Sequence, residues 1–195
     1  MRGTNDVRSA ELFDILRRAA EVSGRTEFVV IGSQAVHGTV RDPDIDAVIR
    51  SPDVDLYPKA DYTPIVYEEL MLQLGQDSDF HVETGHYIEA VSQTLARFPE
   101  GWEDRATTMQ VGFAHLAAGE TPVVVMFPEI HDLAVAKLAI RREKDLEFVY
   151  DIVRLGLVEE ATFKERFRNA PRTRSERIVE GLADIEAAFQ SNRNQ

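Results

Sequence analysis

The feature that most constrains this chain is an apolar run ending in a glycine–serine turn, followed by a short segment with two aspartates. The run is Val29-Val30-Ile31, the turn is Gly32-Ser33, and the segment is Asp53-Val54-Asp55-Leu56-Tyr57. β-Branched residues favour extended backbone, so 27–31 reads as a buried strand. Gly32 lets the backbone come close to a ligand, and the Ser33 hydroxyl can donate to one. Ser33 to about Thr39 reads as a short helix whose first amides would face an anion at the turn. In a strand, residues i and i+2 share a face, so Asp53 and Asp55 project side by side. Two adjacent carboxylates repel each other unless a cation lies between them. Magnesium favours such a setting, held by a few carboxylates together with phosphate oxygens.

A second pair, Asp44-Ile45-Asp46, has the same form and lies nearer the turn. It follows Pro43 among turn formers, which argues for a loop, whereas 53–57 has better strand character. A third carboxylate is expected from a neighbouring strand. Glu89, in His86-Tyr87-Ile88-Glu89-Ala90-Val91, is the first choice and Glu83 the alternative. A charged residue within an apolar strand must face solvent or a site. Lys137, Arg141 and Asp145 are spaced four apart, and on one continuous helix they would form a polar stripe. By spacing alone, that stripe is an intrahelical ladder of ion pairs. The five histidines show no metal-ligand spacing, although His81 and His86 would flank the site. Trp102 is expected to fill the core.

The remaining pattern gives an α+β layout: a small mixed sheet flanked by helices, then a helical C-terminal part. Helices are expected at 9–23, 62–74, 132–141, 145–155, 159–168 and 175–190, the last with a capping box from Thr173 and Glu176. One or two strands are expected at 80–91 around Gly85, and others at 107–113 and 122–127. The core would span 1–130 and the helical part 131–195, packed together as one folding unit. A chain of 195 residues suffices for that core. Without cysteine it has no disulfide, thiolate metal site or cysteine nucleophile. No apolar run reaches the roughly 20 residues of a membrane span, and Met1 to Asp6 lack the apolar core of a signal peptide. A soluble cytoplasmic protein is the expectation. The net charge of −12 disfavours non-specific nucleic-acid binding. A nucleic-acid partner would need a local basic patch, for which Lys164, Arg166, Arg168, Arg172, Arg174 and Arg177 are the candidates.

The blocks Phe28-Val29-Val30-Ile31-Gly32-Ser33-Gln34-Ala35, Asp53-Val54-Asp55-Leu56-Tyr57-Pro58, Asp132-Leu133-Ala134-Val135-Ala136-Lys137-Leu138 and Arg142-Glu143-Lys144-Asp145 occur in this order. Together they resemble a minimal bacterial nucleotidyltransferase-like family, of the polymerase-β-like superfamily and related to AbiEii-type toxins. The resemblance covers about residues 25 to 160. It implies transfer of a nucleotidyl group from a nucleoside triphosphate such as ATP to an acceptor hydroxyl, with magnesium or manganese. It puts Gly32 and Ser33 at the triphosphate, Asp53 and Asp55 at the metal with Glu89 completing the set, and Lys137 and Arg141 at the nucleotide. Lys137 and Asp145 match a lysine and an aspartate that AbiEii-type toxins need, which favours function over the ladder. The implied acceptor is a tRNA end, a protein or a small molecule, and a cognate antitoxin or regulator is an implied partner. Two departures stand out: a long interval between the turn and Asp53, and a glutamate as third carboxylate. They keep open a catalytically degenerate nucleotide-binding or regulatory module of the same fold.

Overall fold

A computed structural model of the chain describes residues 9–40, 49, 51–95, 97–111, 121–171 and 176–193. The fold is α+β and divides into two compact units. The first comprises residues 1–93 and 107–127, the second 94–106 and 128–195.

The first unit is built on one mixed sheet of β1 (Glu27–Val30), β2 (Asp53–Pro58), β3 (Tyr87–Ala90), β4 (Thr107–Val111) and β5 (Val123–Phe127), in the order β3-β2-β1-β5-β4. β1 runs antiparallel to β2 and parallel to β5. β2 and β3 are parallel, and β4 is antiparallel to β5. Helix α1 (Ser9–Ser23) packs on β4 and β5 through a buried stripe of Leu12, Ile15, Leu16 and Ala19. Helix α2 (Pro64–Leu74) packs on α1 and β3 through Val66, Leu70 and Leu74. Strand alternation then sorts the side chains. Val54, Leu56, Ile88 and Ala90 are buried on one face of β2 and β3. Asp53, Asp55, Tyr87 and Glu89 fall on the other face, half-buried or exposed.

Of the one or two strands expected over 80–91, one is present, after Gly85. Asp79–Thr84 is a helix, α3, followed by β3. The Ser78 hydroxyl caps it by accepting from the His81 amide at 3.2 Å, and Gly85 closes it. Glu83 is therefore an exposed helix residue rather than a strand carboxylate.

The second unit is helical: α4 (Trp102–Arg105), α5 (Ile130–Ile140), α6 (Glu143–Arg154), α7 (Glu160–Arg168) and α8 (Glu176–Arg193). α5 is apolar nearly all round and packs against α6, α7 and α8. Trp102 does not fill the core. It is half-buried on the short α4, with its ring 4.6 Å from that of Phe98. The Thr173–Glu176 capping box lies outside the described residues. Among the described residues, no helix is long and apolar enough to cross a membrane.

A charged cluster secures the start of α5. Arg105 donates twice to the fully buried Asp132, at 2.8 and 3.0 Å. Arg166 bridges Asp132 and Glu129. His131 Nε2 accepts from the Glu159 amide at 2.8 Å, so the ring proton resides on Nδ1 and is donated to Glu129 Oε1 at 2.7 Å. Burial alone would raise the Glu129 pKa, but hydrogen bonds from His131 and Arg166 outweigh it and hold the carboxyl down at about 2. A depressed carboxylate pKa contributes stability above its ordinary value of 4.5, and that stability is lost as pH falls toward about 2. Urea midpoints across that window should drop in the wild type and drop less steeply in Glu129→Gln. Equal slopes would remove Glu129 as the source.

Candidate functional site

The parallel register of β2 and β3 sets Asp55 directly opposite Glu89 and Asp53 opposite Tyr87. Three carboxylates thus converge on the open face of the sheet. One oxygen from each of Asp53, Asp55 and Glu89 lies within 4.8 Å of the other two. Among the described residues, no other three histidine or carboxylate side chains converge in this way. The donor set is all oxygen and partly open to solvent, which suits a hard divalent cation such as magnesium or manganese.

The glycine–serine turn meets this cluster. The Ile31 amide donates to the Asp55 carbonyl at 2.8 Å. Gly32 has φ 71 and ψ −163, a region essentially restricted to glycine. A Cβ at this position would stand 2.0 Å from Asp55 Oδ2. The Asp55 carboxylate therefore fills the space that any other residue's side chain would need. The next residues, Ser33–Gly38, form a six-residue 3₁₀ helix rather than an α-helix, with fewer aligned peptide dipoles to face an anion. Within it Gln34 is buried, and its amide donates to the Ser51 carbonyl at 2.9 Å.

Tyr87 shares the face of the three carboxylates, a position that i, i+2 spacing from Glu89 would have disclosed in the sequence. Burial first, then the charges of Asp53, Glu89 and Asp55, push its phenol pKa up. The His81 ring meets it edge-on at 4.8 Å, and His81 Nδ1 accepts from the Asp77 amide at 3.0 Å.

Lys137, Arg141 and Asp145 belong to the second unit, and they do not share one helix. Arg141 ends α5 in the left-handed region at φ 60, and Asp145 sits in the first turn of α6. The two helices nevertheless bring Lys137 Nζ to 3.2 Å from Asp145 Oδ1. Asp145 is fully buried and Lys137 nearly so, with its ammonium 5.4 Å from the centre of the Phe148 ring. Arg142 adds a side-chain bond at 2.8 Å and an amide bond at 3.1 Å to Asp145 Oδ2. Burial would raise the Asp145 pKa, but Arg142 and Lys137 outweigh it and hold the carboxyl below its usual range. The Arg141 guanidinium pairs with Glu180 at 3.1 Å and Asp184 at 2.9 Å, so its charge is met within the unit.

Two members of the basic cluster are likewise engaged. Lys164 pairs with Glu160 and Glu186, and Arg166 with Glu129 and Asp132. Asp44, Asp46, His115, Arg172, Arg174 and the Arg177 side chain lie outside the described residues.

No curated protein and no solved structure matches the chain. A family model described as "Nucleotidyltransferase of unknown function (DUF6036)" matches residues 10–177. That span contains the turn, the three carboxylates and the Lys137–Asp145 pair. On this match the chain belongs to the DUF6036 family of nucleotidyltransferases.

Proposed function

We propose that this chain is a metal-dependent nucleotidyltransferase, moving a nucleotidyl group from a nucleoside triphosphate to an acceptor hydroxyl. The observation that carries the reading is the convergence of Asp53, Asp55 and Glu89 beside the Gly32 turn. These carboxylates would hold magnesium or manganese. Bound there, the metal would neutralise charge on the triphosphate and on the departing pyrophosphate. Gly32 and Ser33 present backbone and hydroxyl groups to the β- and γ-phosphates. The acceptor oxygen bonds to the α-phosphorus as the α–β bridging bond breaks, and pyrophosphate leaves. Glu89, the most exposed of the three carboxylates, would take the acceptor's proton.

The resemblance to AbiEii-type toxins extends the reading to Lys137, which would neutralise phosphate charge, and to Asp145, which would orient nucleotide or acceptor. It also names a tRNA end as the first acceptor to try and a cognate antitoxin as a regulator. Chain composition tempers the first of these. The protein is strongly acidic, and Lys164 and Arg166 of its basic cluster are already paired with carboxylates.

The test is a thermal-shift titration with each of the four ribonucleoside triphosphates and magnesium. Ligand that binds only the native state raises the melting temperature. A metal-dependent rise with one nucleotide, absent in Asp55→Ala, is the expected result. The same rise in Asp55→Ala would overturn the site. Nucleotide binding without transfer to any acceptor would identify the degenerate module instead.

A further inference from the structure

We infer that Gln34 is a positioning residue for the three-carboxylate cluster, a strap that holds Asp53 in place for metal at a cost to the metal-free protein. The inference rests on the metal reading of that cluster given above.

The need for a strap follows from the sheet. β1 pairs with β2 through Phe28–Pro58, Val29–Tyr57 and Val30–Leu56. Among the described residues, the backbone ladder on that side runs as far as the Ile31 amide on the Asp55 carbonyl. At Gly32 the chain turns away from β2. Among the described residues, the backbone bonding at the start of β2, where Asp53 lies, comes from β3, beginning with the Tyr87 amide on the Pro52 carbonyl at 3.2 Å. Pro52 has no amide to offer in return. The side chain of Gln34 takes over where the β1 ladder stops. Its Nε2 reaches the Ser51 carbonyl at 2.9 Å, two residues before Asp53 and 17 residues away in sequence.

Two further facts separate this role from ordinary core packing. Gln34 is 1 % exposed, yet its Oε1 has no hydrogen-bond partner among the described residues. A buried acceptor left unsatisfied is unfavourable, and an apolar side chain of the same shape would avoid that cost. Gln34 also directly follows Ser33, so a single 3₁₀ helix carries both the hydroxyl proposed for the phosphates and the side chain that bonds to Ser51. Groups behind metal ligands that fix ligand orientation commonly set metal affinity in this manner.

The strap has opposite consequences in the two states. Without metal it holds Asp53 near two other carboxylates that repel it. With metal, the same restraint lowers the cost of gathering the ligands. Gln34→Met keeps the shape, removes the bond to Ser51 and removes the orphan acceptor. Metal-free, this variant should melt at or slightly above the wild-type temperature. The magnesium or manganese concentration giving half the maximal thermal shift should rise about tenfold. A purely structural Gln34 would give the reverse: a lower metal-free melting temperature and an unchanged metal concentration.

The experiment is a melting-temperature titration with manganese and then magnesium, without nucleotide, on wild type, Gln34→Met and Asp55→Asn. Wild type responding, Asp55→Asn silent and Gln34→Met shifted to higher metal is the expected outcome. Equal half-saturation in wild type and Gln34→Met overturns the strap and leaves the metal site standing. A Gln34→Met variant that does not fold, or that melts lower without metal, also overturns it. A wild type silent to both metals overturns the metal reading and the strap together.

Discussion

Replacing Asp145 with leucine is expected to lower the stability of the protein by about 3–5 kcal/mol, the usual cost of removing one partner from a buried ion pair. Asp145 is fully buried, and Lys137, 3.2 Å away, is only 8 % exposed. Loss of the carboxylate leaves that ammonium over the Phe148 ring, with no other ion-pair partner among the described residues. Arg142 is half-exposed and can turn to water, so the penalty resides mainly on Lys137. Chemical denaturation of Asp145→Leu should show a lower midpoint at unchanged slope. The paired replacement Lys137→Met with Asp145→Leu should recover most of the loss, because an apolar pair of similar volume removes both charges. The double variant also separates structure from chemistry. If the pair serves the nucleotide, a well-folded double variant transfers nothing. If the pair serves only the α5–α6 junction, transfer returns together with stability.

That ambiguity arises from how the sequence encodes the pair. A spacing of eight residues between Lys137 and Asp145 fits one continuous helix and also two helices meeting at a corner. The break falls at Arg141, a residue with no turn preference that nevertheless adopts φ 60. Only tertiary contacts, including its ion pairs to Glu180 and Asp184, reveal why it sits there. The three carboxylates are more legible because strand alternation is local: Asp53 and Asp55 on one face follow from period two, and Glu89 from a charge set in an apolar run. What the period does not disclose is register. That Asp55 faces Glu89, rather than a residue one place along, depends on how α2 and α3 return the chain to the sheet. The segment 80–84 is helical rather than extended for a related reason. Phe80 and Val82 alternate as in a strand, but the Ser78 cap and Gly85 decide for helix. Gln34 gave no signal at all, since a glutamine in a short helix is ordinary until its amide is seen to reach Ser51.

Gly32→Ala is expected to destabilise the protein by about 2–6 kcal/mol and to abolish its response to metal. Two costs combine. At φ 71 and ψ −163 an alanine occupies backbone space essentially reserved for glycine, worth about 1–3 kcal/mol. Its methyl carbon would also stand 2.0 Å from Asp55 Oδ2, so either the turn or the carboxylate must move, at a similar cost. Movement of Asp55 disperses the cluster, and movement of the turn withdraws the Ile31 amide that anchors the Asp55 carbonyl. Gly24→Ala is the control. Gly24 also has positive φ, at 64, but a Cβ there meets nothing within 4 Å. It should show the backbone penalty alone and keep the full metal-dependent thermal shift. Adding Asp55→Gly to Gly32→Ala relieves the collision but not the strain, so stability should return in part while the metal response stays absent. A Gly32→Ala protein that still responds to metal as the wild type does would mean that Asp55 is not a ligand. The carboxylate filling the space at Gly32 would then be a packing contact, and the turn would have no part in holding a metal.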